Sequence, residues 1–369
     1  MEADGIEGDR GVRTENAVFQ IDVEDGLSTR QEETAKASNI LKSLSPLINT
    51  MRAFGLYFCR VPYVVQDSTS QPVHRCARER LNWNAGRIYA TIMLAVMWLN
   101  AVQACYVFDG KEILGALLLN KIALIPGALV IAVLHTAYYV ASHTRSLDRI
   151  FCQADLSVTE LSSKYSRRAK VATFVCWLLI MPNVIMNAYL SFTYVNNTYL
   201  SIILAVTFRL SKLWVDVIKV VFIVLYLLAL VSSAFPQAMN FMVMSFLYDQ
   251  FTRLNEEFSK CVGDRGEFSG NFEQFRRRHQ AVSRSVQEAD RFLMISNVAC
   301  FCCQIAGIIL VLYTTIFFRQ ETVLPSVNQA FGHIFWLVIN ICVLCMAAGL
   351  AMVINHAVSV HNIYNFDDR

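Results

Sequence analysis

Six runs of predominantly apolar residues, at 88–108, 114–140, 171–192, 214–247, 292–318 and 331–355, constrain this chain more than any motif in it. Each is long enough to cross the ~30 Å hydrocarbon layer of a bilayer as a helix. Backbone N–H and C=O groups in lipid must be satisfied within the protein, so only helices and closed barrels can span. Runs this long without apolar–polar alternation select helices. Composition agrees: charged residues make up only 17% of the 369, hydrophobic ones 55%, and mean hydropathy is +0.41. A soluble domain carries about 25% charged residues, so a soluble globular enzyme is excluded. The net charge of +3 comes with no basic block, and no nucleic-acid partner is expected. The expected fold is all-α, a polytopic helical membrane protein with six spans.

The flanks divide the rest. Residues 1–43 are polar and acid-leaning, with ten Asp or Glu against five Lys or Arg, and read as a disordered cytoplasmic tail. No positive segment followed by an apolar core opens the chain, so no cleaved signal peptide is expected. Residues 44–87 read as an interfacial, pre-span segment. Their first part is amphipathic but broken by Arg52, Arg60 and Pro62, which suits a helix lying at the membrane surface. A transmembrane receptor domain at 88–355 and a short C-terminal tail at 356–369 follow. The fourth run, longer than a bilayer needs, tilts or continues into water as a helix.

Orientation follows from Lys and Arg near the span ends. Residues 67–87, 141–170 and 248–291 carry 18 of them, while the opposite loops hold four: Lys111, Arg209, Lys212 and Arg319. The excess of positive charge marks the cytoplasmic side and places the N-terminus there. The sequence's one N-x-[ST] site, Asn196-Asn197-Thr198, then lies outside, where Asn196 is open to glycosylation. None of the eleven cysteines falls in an outer loop, so extracellular disulfides are not expected.

Motifs of chemistry are weak. Cys342-Val-Leu-Cys345 has redox or metal spacing but no partner His or second pair nearby, and two small residues on a membrane helix explain it better. No phosphate-cradling loop, metalloprotease helix or nucleophile elbow is present. No catalytic residue, metal or cofactor is assigned. Asp148-Arg149-Ile150 is similar to the motif that ends the third helix of rhodopsin-like receptors, yet it follows the second span here. A G-protein-coupled-receptor-like protein, a carrier and a membrane enzyme stand as alternatives.

Polar groups inside spans are costly and tend to be functional. Lys121, Asn187, Asp216, Lys219, Asn297, Gln304, His333 and Asn340 are the main ones. Asp216 and Lys219 are three residues apart on a helix and can pair. His333, Trp336 and Asn340 share one face near the outer end of the last run. Lys121, Asn187, Tyr189, Trp214, Tyr313, His333, Trp336 and Asn340 are the candidate ligand-binding set, lining an outward-facing aromatic pocket. Aromatic anchors in the lipid belt are the plainer explanation for the ring residues.

Four stretches resemble the arthropod gustatory receptor family. They are Leu44-Ser-Pro46-Leu47 with Arg52-Ala-Phe-Gly55-Leu56 before the first span, and Phe246-Leu-Tyr-Asp-Gln-Phe251-Thr-Arg253-Leu254-Asn255-Glu256 at the inner end of the fourth. The others are Arg278-His279-Gln-Ala-Val282 running to Phe292-Leu before the fifth, and Leu312-Tyr313 at that span's end. The resemblance covers residues 44–355. It implies a receptor for a small tastant in the plasma membrane, acting as a subunit of a ligand-gated cation channel, a homo- or hetero-tetramer embedded in membrane lipid. It also implies an intracellular helical extension at 245–291, broken at 263–271, that makes the subunit contact. Glu256, Glu257, Arg276, Arg277, Glu288 and Arg291 are candidates for pairs between subunits. The family has a seventh helix, ending in Gln-Phe, that lines the pore. Only six runs are found here, so the last helix is expected to be lacking.

Overall fold

The computed structural model describes residues 40–58, 72–106, 116–152, 158–193, 212–262, 267, 269–317 and scattered helical positions between 337 and 352. Seven helices are defined: α1 Ser45–Ala53, α2 Pro72–Tyr106, α3 Ala116–Thr144, α4 Ser146–Cys152, α5 Val158–Thr193, α6 Lys212–Cys261 and α7 Phe272–Phe317. The described residues contain no β-strand. Among the described residues five helices are long and apolar enough to cross a membrane, within α2, α3, α5, α6 and α7. The fold is a polytopic helical membrane one. The sixth predicted run lies largely outside the described residues, and its described positions, such as Val338, Ile341 and Met352, are helical.

Helix lengths differ from the predicted spans. The first span's helix starts at Pro72, well before residue 88, at a residue whose fixed φ suits a first helical turn. α6 has 50 residues and α7 has 46. At about 1.5 Å per residue these reach roughly 75 and 69 Å, more than twice the hydrocarbon thickness. Residues 262–271 separate the two helices. α7 is started there by Asn271, whose Oδ1 accepts from the backbone N–H of Gln274 at 3.1 Å.

The segment read as interfacial turns its apolar side to protein. Leu47, Ile48 and Met51 of α1 are fully buried, with Ile40, Leu41 and Leu44 before them and Leu56 and Tyr57 after. α1 packs on α5 and α6. Its amphipathic pattern fits a membrane surface and a docked helix equally, and only tertiary contact separates the two. The helix ends in a Schellman turn. The N–H of Leu56 donates to the Met51 carbonyl at 2.8 Å and that of Gly55 to the Arg52 carbonyl at 3.1 Å. Gly55 sits at φ +71°, and a Cβ there would come within 2.7 Å of the Met93 side chain on α2. Glycine is needed for both reasons.

The main core joins α1, the end of α3, α4, the first two-thirds of α5, Leu230–Leu247 of α6 and Ala289–Leu293 of α7. Tyr138, Phe151, Tyr165, Phe235 and Phe246 are its largest fully buried side chains. Edge-to-face rings knit it, with Phe246 against both Phe151 and Tyr165, and Tyr138 against Phe292. This core lies in the half of the bundle that carries the positive loops, the inner half in the expected orientation.

Candidate functional site

The predicted ligand-binding residues fall on several helices. Lys121 is in the first turns of α3. Asn187 is half-buried and Tyr189 exposed near the end of α5, Trp214 is exposed at the start of α6, and Tyr313 is exposed near the end of α7. His333, Trp336, Asn340 and the glycosylation candidate Asn196 lie outside the described residues. Near them the predicted Asp216–Lys219 pair is present at 3.9 Å, and the Lys219 ammonium also lies 5.5 Å from the Phe192 ring centre. Lys219 is buried, so α5 and α6 are joined at their outer ends by a cation held between a carboxylate and an aromatic face.

The densest polar constellation lies deeper and on other residues. On α3, His135 and Tyr138 are fully buried. His135 Nδ1 is 3.3 Å from Ser232 Oγ on α6. The Tyr138 hydroxyl is 2.6 Å from Asn240 Oδ1 and 2.9 Å from the Pro236 carbonyl, both on α6. Asn240 Nδ2 in turn donates to Ser296 Oγ on α7 at 3.1 Å, and Gln237 donates to the Cys300 sulfur. One chain of hydrogen bonds thus ties α3, α6 and α7 together at mid-bundle. Pro236 belongs to it through its carbonyl, and its missing N–H cannot make the helical bond to the carbonyl of residue 232, which loosens the helix there. A hydrogen-bonded seam beside a proline holds three helices in register while leaving a place where α6 can bend.

Charges gather just below the core. One oxygen of Asp249 on α6 accepts from Lys164 Nζ at 2.8 Å, the Tyr165 hydroxyl at 2.7 Å and Arg168 Nη1 at 3.1 Å, all on α5. The α6–α7 hairpin beneath is held by Phe258 against Phe275, with ring centres 5.0 Å apart, and by Arg278 to Glu257 at 2.8 Å. The residues considered for contacts between subunits pair partly within the chain. Arg276 and Arg277 both reach Glu273, and Arg291 and Arg149 both reach Glu288.

A cleft of about 420 Å³ opens between α2, α3, α4 and α7. Trp98 and the α3 residues Val133, Thr136 and Val140 form one wall, and Phe292 and Ile295 of α7 the other. Ser146, Arg149, Glu288 and Arg291 stand at its polar end. Trp98 Nε1 donates to Thr136 Oγ1 at 3.1 Å, so the indole is held in place.

His135, Tyr138, Ser232 and Asn240 were not singled out from sequence. Their signal was present: His135 and Asn240 each interrupt an apolar run, as Lys121 and Asn187 do. Side-chain polarity does not reveal depth, whereas the partner on another helix does.

No protein-family model matches this chain, and no curated protein sequence matches it. Among solved structures it is similar in fold to an insect olfactory receptor from Machilis hrabei, with a TM-score of 0.57 over 85% of this chain and 82% of that one. Sequence identity between the two is 14%.

Proposed function

We propose that this chain is a chemosensory receptor of the gustatory type, a subunit of a ligand-gated cation channel that takes a small tastant among the outer halves of its helices. The observation that carries this reading is the fold shared with an insect olfactory receptor along most of both chains. The motifs around Gly55, Phe251–Asn255 and Arg278–Phe292 favour the gustatory branch. The overlong α6 and α7 support the oligomeric part of the proposal, since a helical hairpin reaching past the bilayer offers surface for neighbouring subunits. The buried seam of Tyr138, Asn240 and Ser296 supplies the link between the outer helix ends and that hairpin. The finer parts are proposed with it: the plasma membrane as location, the N-terminus inside, Asn196 glycosylated, and Lys121, Asn187, Tyr189, Trp214, Tyr313, His333, Trp336 and Asn340 as ligand contacts.

The test is current in voltage-clamped oocytes expressing the chain with a gustatory receptor of the same animal, under a panel of sugars, amino acids and bitter alkaloids. A ligand-evoked cation current absent with the partner alone supports the reading. Surface labelling of an N-terminal tag on intact cells would overturn the orientation and return the G-protein-coupled alternative. A monodisperse monomer in mild detergent would favour a carrier.

A further inference from the structure

We infer that the cleft between α2, α3, α4 and α7 is a binding site for an anionic phospholipid, with the acyl chain along its apolar walls and the headgroup at Arg149 and Arg291. Three observations carry this. The first is length. From Val133 to Thr144 along α3 the cleft runs about 16 Å at ~1.5 Å per residue. That is about half of the ~30 Å hydrocarbon layer, the depth of one leaflet. The second is lining. Val133, Val140, Phe292 and Ile295 provide an apolar trough, and Val140 and Ile295 are 50% and 62% exposed, so it opens sideways to the surface. Water would leave such a trough poorly solvated, and an acyl chain fills it at no polar cost. The third is charge. All the ionisable groups lining the cleft lie at the end where α3 stops, and two guanidiniums face a single carboxylate there.

The carboxylate does not cancel the site. Glu288 lies 3.7 Å from Arg149 and 3.4 Å from Arg291, while Arg149 Nη2 donates to the Thr144 carbonyl. The side chains of Arg149 and Arg291 are 50% and 77% exposed, against 21% for Glu288. The cations therefore stand outward and the anion sits behind them. A headgroup phosphate meets guanidinium first, in the geometry that guanidinium suits. Under the proposed orientation this end faces the cytoplasmic leaflet, where anionic lipids collect. The inference rests on that orientation for its leaflet and does not depend on channel activity.

Native mass spectrometry of the purified full chain in micelles containing equal dioleoyl phosphatidylserine and dioleoyl phosphatidylcholine tests it. The native chain is expected to retain phosphatidylserine in preference. At roughly fivefold per arginine near a membrane surface, Arg149→Ala with Arg291→Ala should lower that preference on the order of 20-fold. Arg276→Ala with Arg277→Ala removes the same charge elsewhere and should leave it unchanged. Arg291→Ala alone, at an exposed position, should give about a fivefold loss with the fold intact. Inorganic phosphate should not displace the lipid. Equal retention of the two lipids by the native chain, equal losses in both double variants, or displacement by millimolar phosphate would each overturn the assignment. Lipid retention and ligand-evoked current are separate readouts, so one can fail while the other stands.

Discussion

The inner and outer halves of the same helices are built differently. Along α5, Tyr165, Ala169, Cys176 and Ile180 form a buried face over the first two-thirds, while Ile185, Tyr189 and Phe192 near the end are largely exposed. α6 repeats this in reverse, with Trp214, Val217, Val220, Val221 and Val224 exposed and Val231 to Leu247 in the core. In α7, Ala289, Phe292 and Leu293 are buried and Ile309, Leu312, Tyr313 and Ile316 are exposed. A soluble protein would not leave an apolar surface of this size open. In a bilayer, lipid tails cover it without loss, because they are as apolar as leucine. The lesson is that apolar residues in these helices do two jobs. In the inner half they hold a rigid platform together, and in the outer half they leave helix ends free to rearrange around whatever occupies them.

The strongest way to break this comparison is to cut a large side chain from the platform. Phe246→Ala removes a ring that meets both Phe151 and Tyr165 edge-to-face and is fully buried. A loss of about 3–5 kcal/mol is expected. It should appear as a large fall in the thermal midpoint of the detergent-purified protein, followed by tryptophan fluorescence. An unchanged midpoint would mean that the inner core is not the structural platform.

Gly55→Ala comes next. Alanine at φ +71° is strained, and its Cβ would press on Met93. A backbone outlier of this kind costs about 1–3 kcal/mol. Because the turn at Gly55 docks α1, limited proteolysis should cut the variant first near residues 40–58. Native-like protection of that segment would show that α1 is held by its side chains alone.

Tyr138→Phe sharpens the comparison at the boundary between the halves. It removes the hydroxyl that reaches Asn240 and the Pro236 carbonyl, leaving the ring packed on Phe292. Interhelical hydrogen bonds in membranes contribute about 0.6 kcal/mol on average and up to ~1.7. A stability loss near 1 kcal/mol is expected. If the seam couples the two halves, the ligand concentration for half-maximal current should also shift in the oocyte assay. A stability loss with no such shift would make the seam purely structural.

Sequence made the five described spans legible because lipid demands long unbroken apolar helices, and no tertiary detail alters that demand. It did not show what lies at their edges. α2 extends back to Pro72 through polar residues, since a helix outside lipid needs no apolar run. α1 docks in the core because its buried face meets α5 and α6, partners that the amphipathicity of one segment does not reveal. The Asp216–Lys219 pair was legible because both residues share one helix face. The Tyr138–Asn240–Ser296 seam was not, because its members are up to 158 residues apart in the chain and only the bundle brings them together. Of the proposed ligand set, Asn187, Tyr189, Trp214 and Tyr313 lie near helix ends, where exposed rings read equally as pocket lining or lipid anchors.

The smallest effect is expected on the outer-facing apolar surface, and it decides what that surface meets. Ile185 on α5 is 62% exposed in the single chain. If lipid covers it, Ile185→Ala exchanges side-chain contacts with lipid for lipid contacts with a smaller side chain. The expected change is within about 0.5 kcal/mol, the range for positions that touch no packed feature. The midpoint in nanodiscs should then match that of the native chain. If another subunit or the sixth predicted run at 331–355 covers this face, the same replacement opens a void between packed surfaces. The loss would then approach the ~2–5 kcal/mol of a buried isoleucine. Oligomer dissociation measured on the same sample separates these two sources. A loss that tracks dissociation assigns the face to a neighbouring subunit, and a loss without dissociation assigns it to the chain's own sixth predicted run. Either outcome would end the contrast drawn between a packed inner half and a lipid-covered outer one.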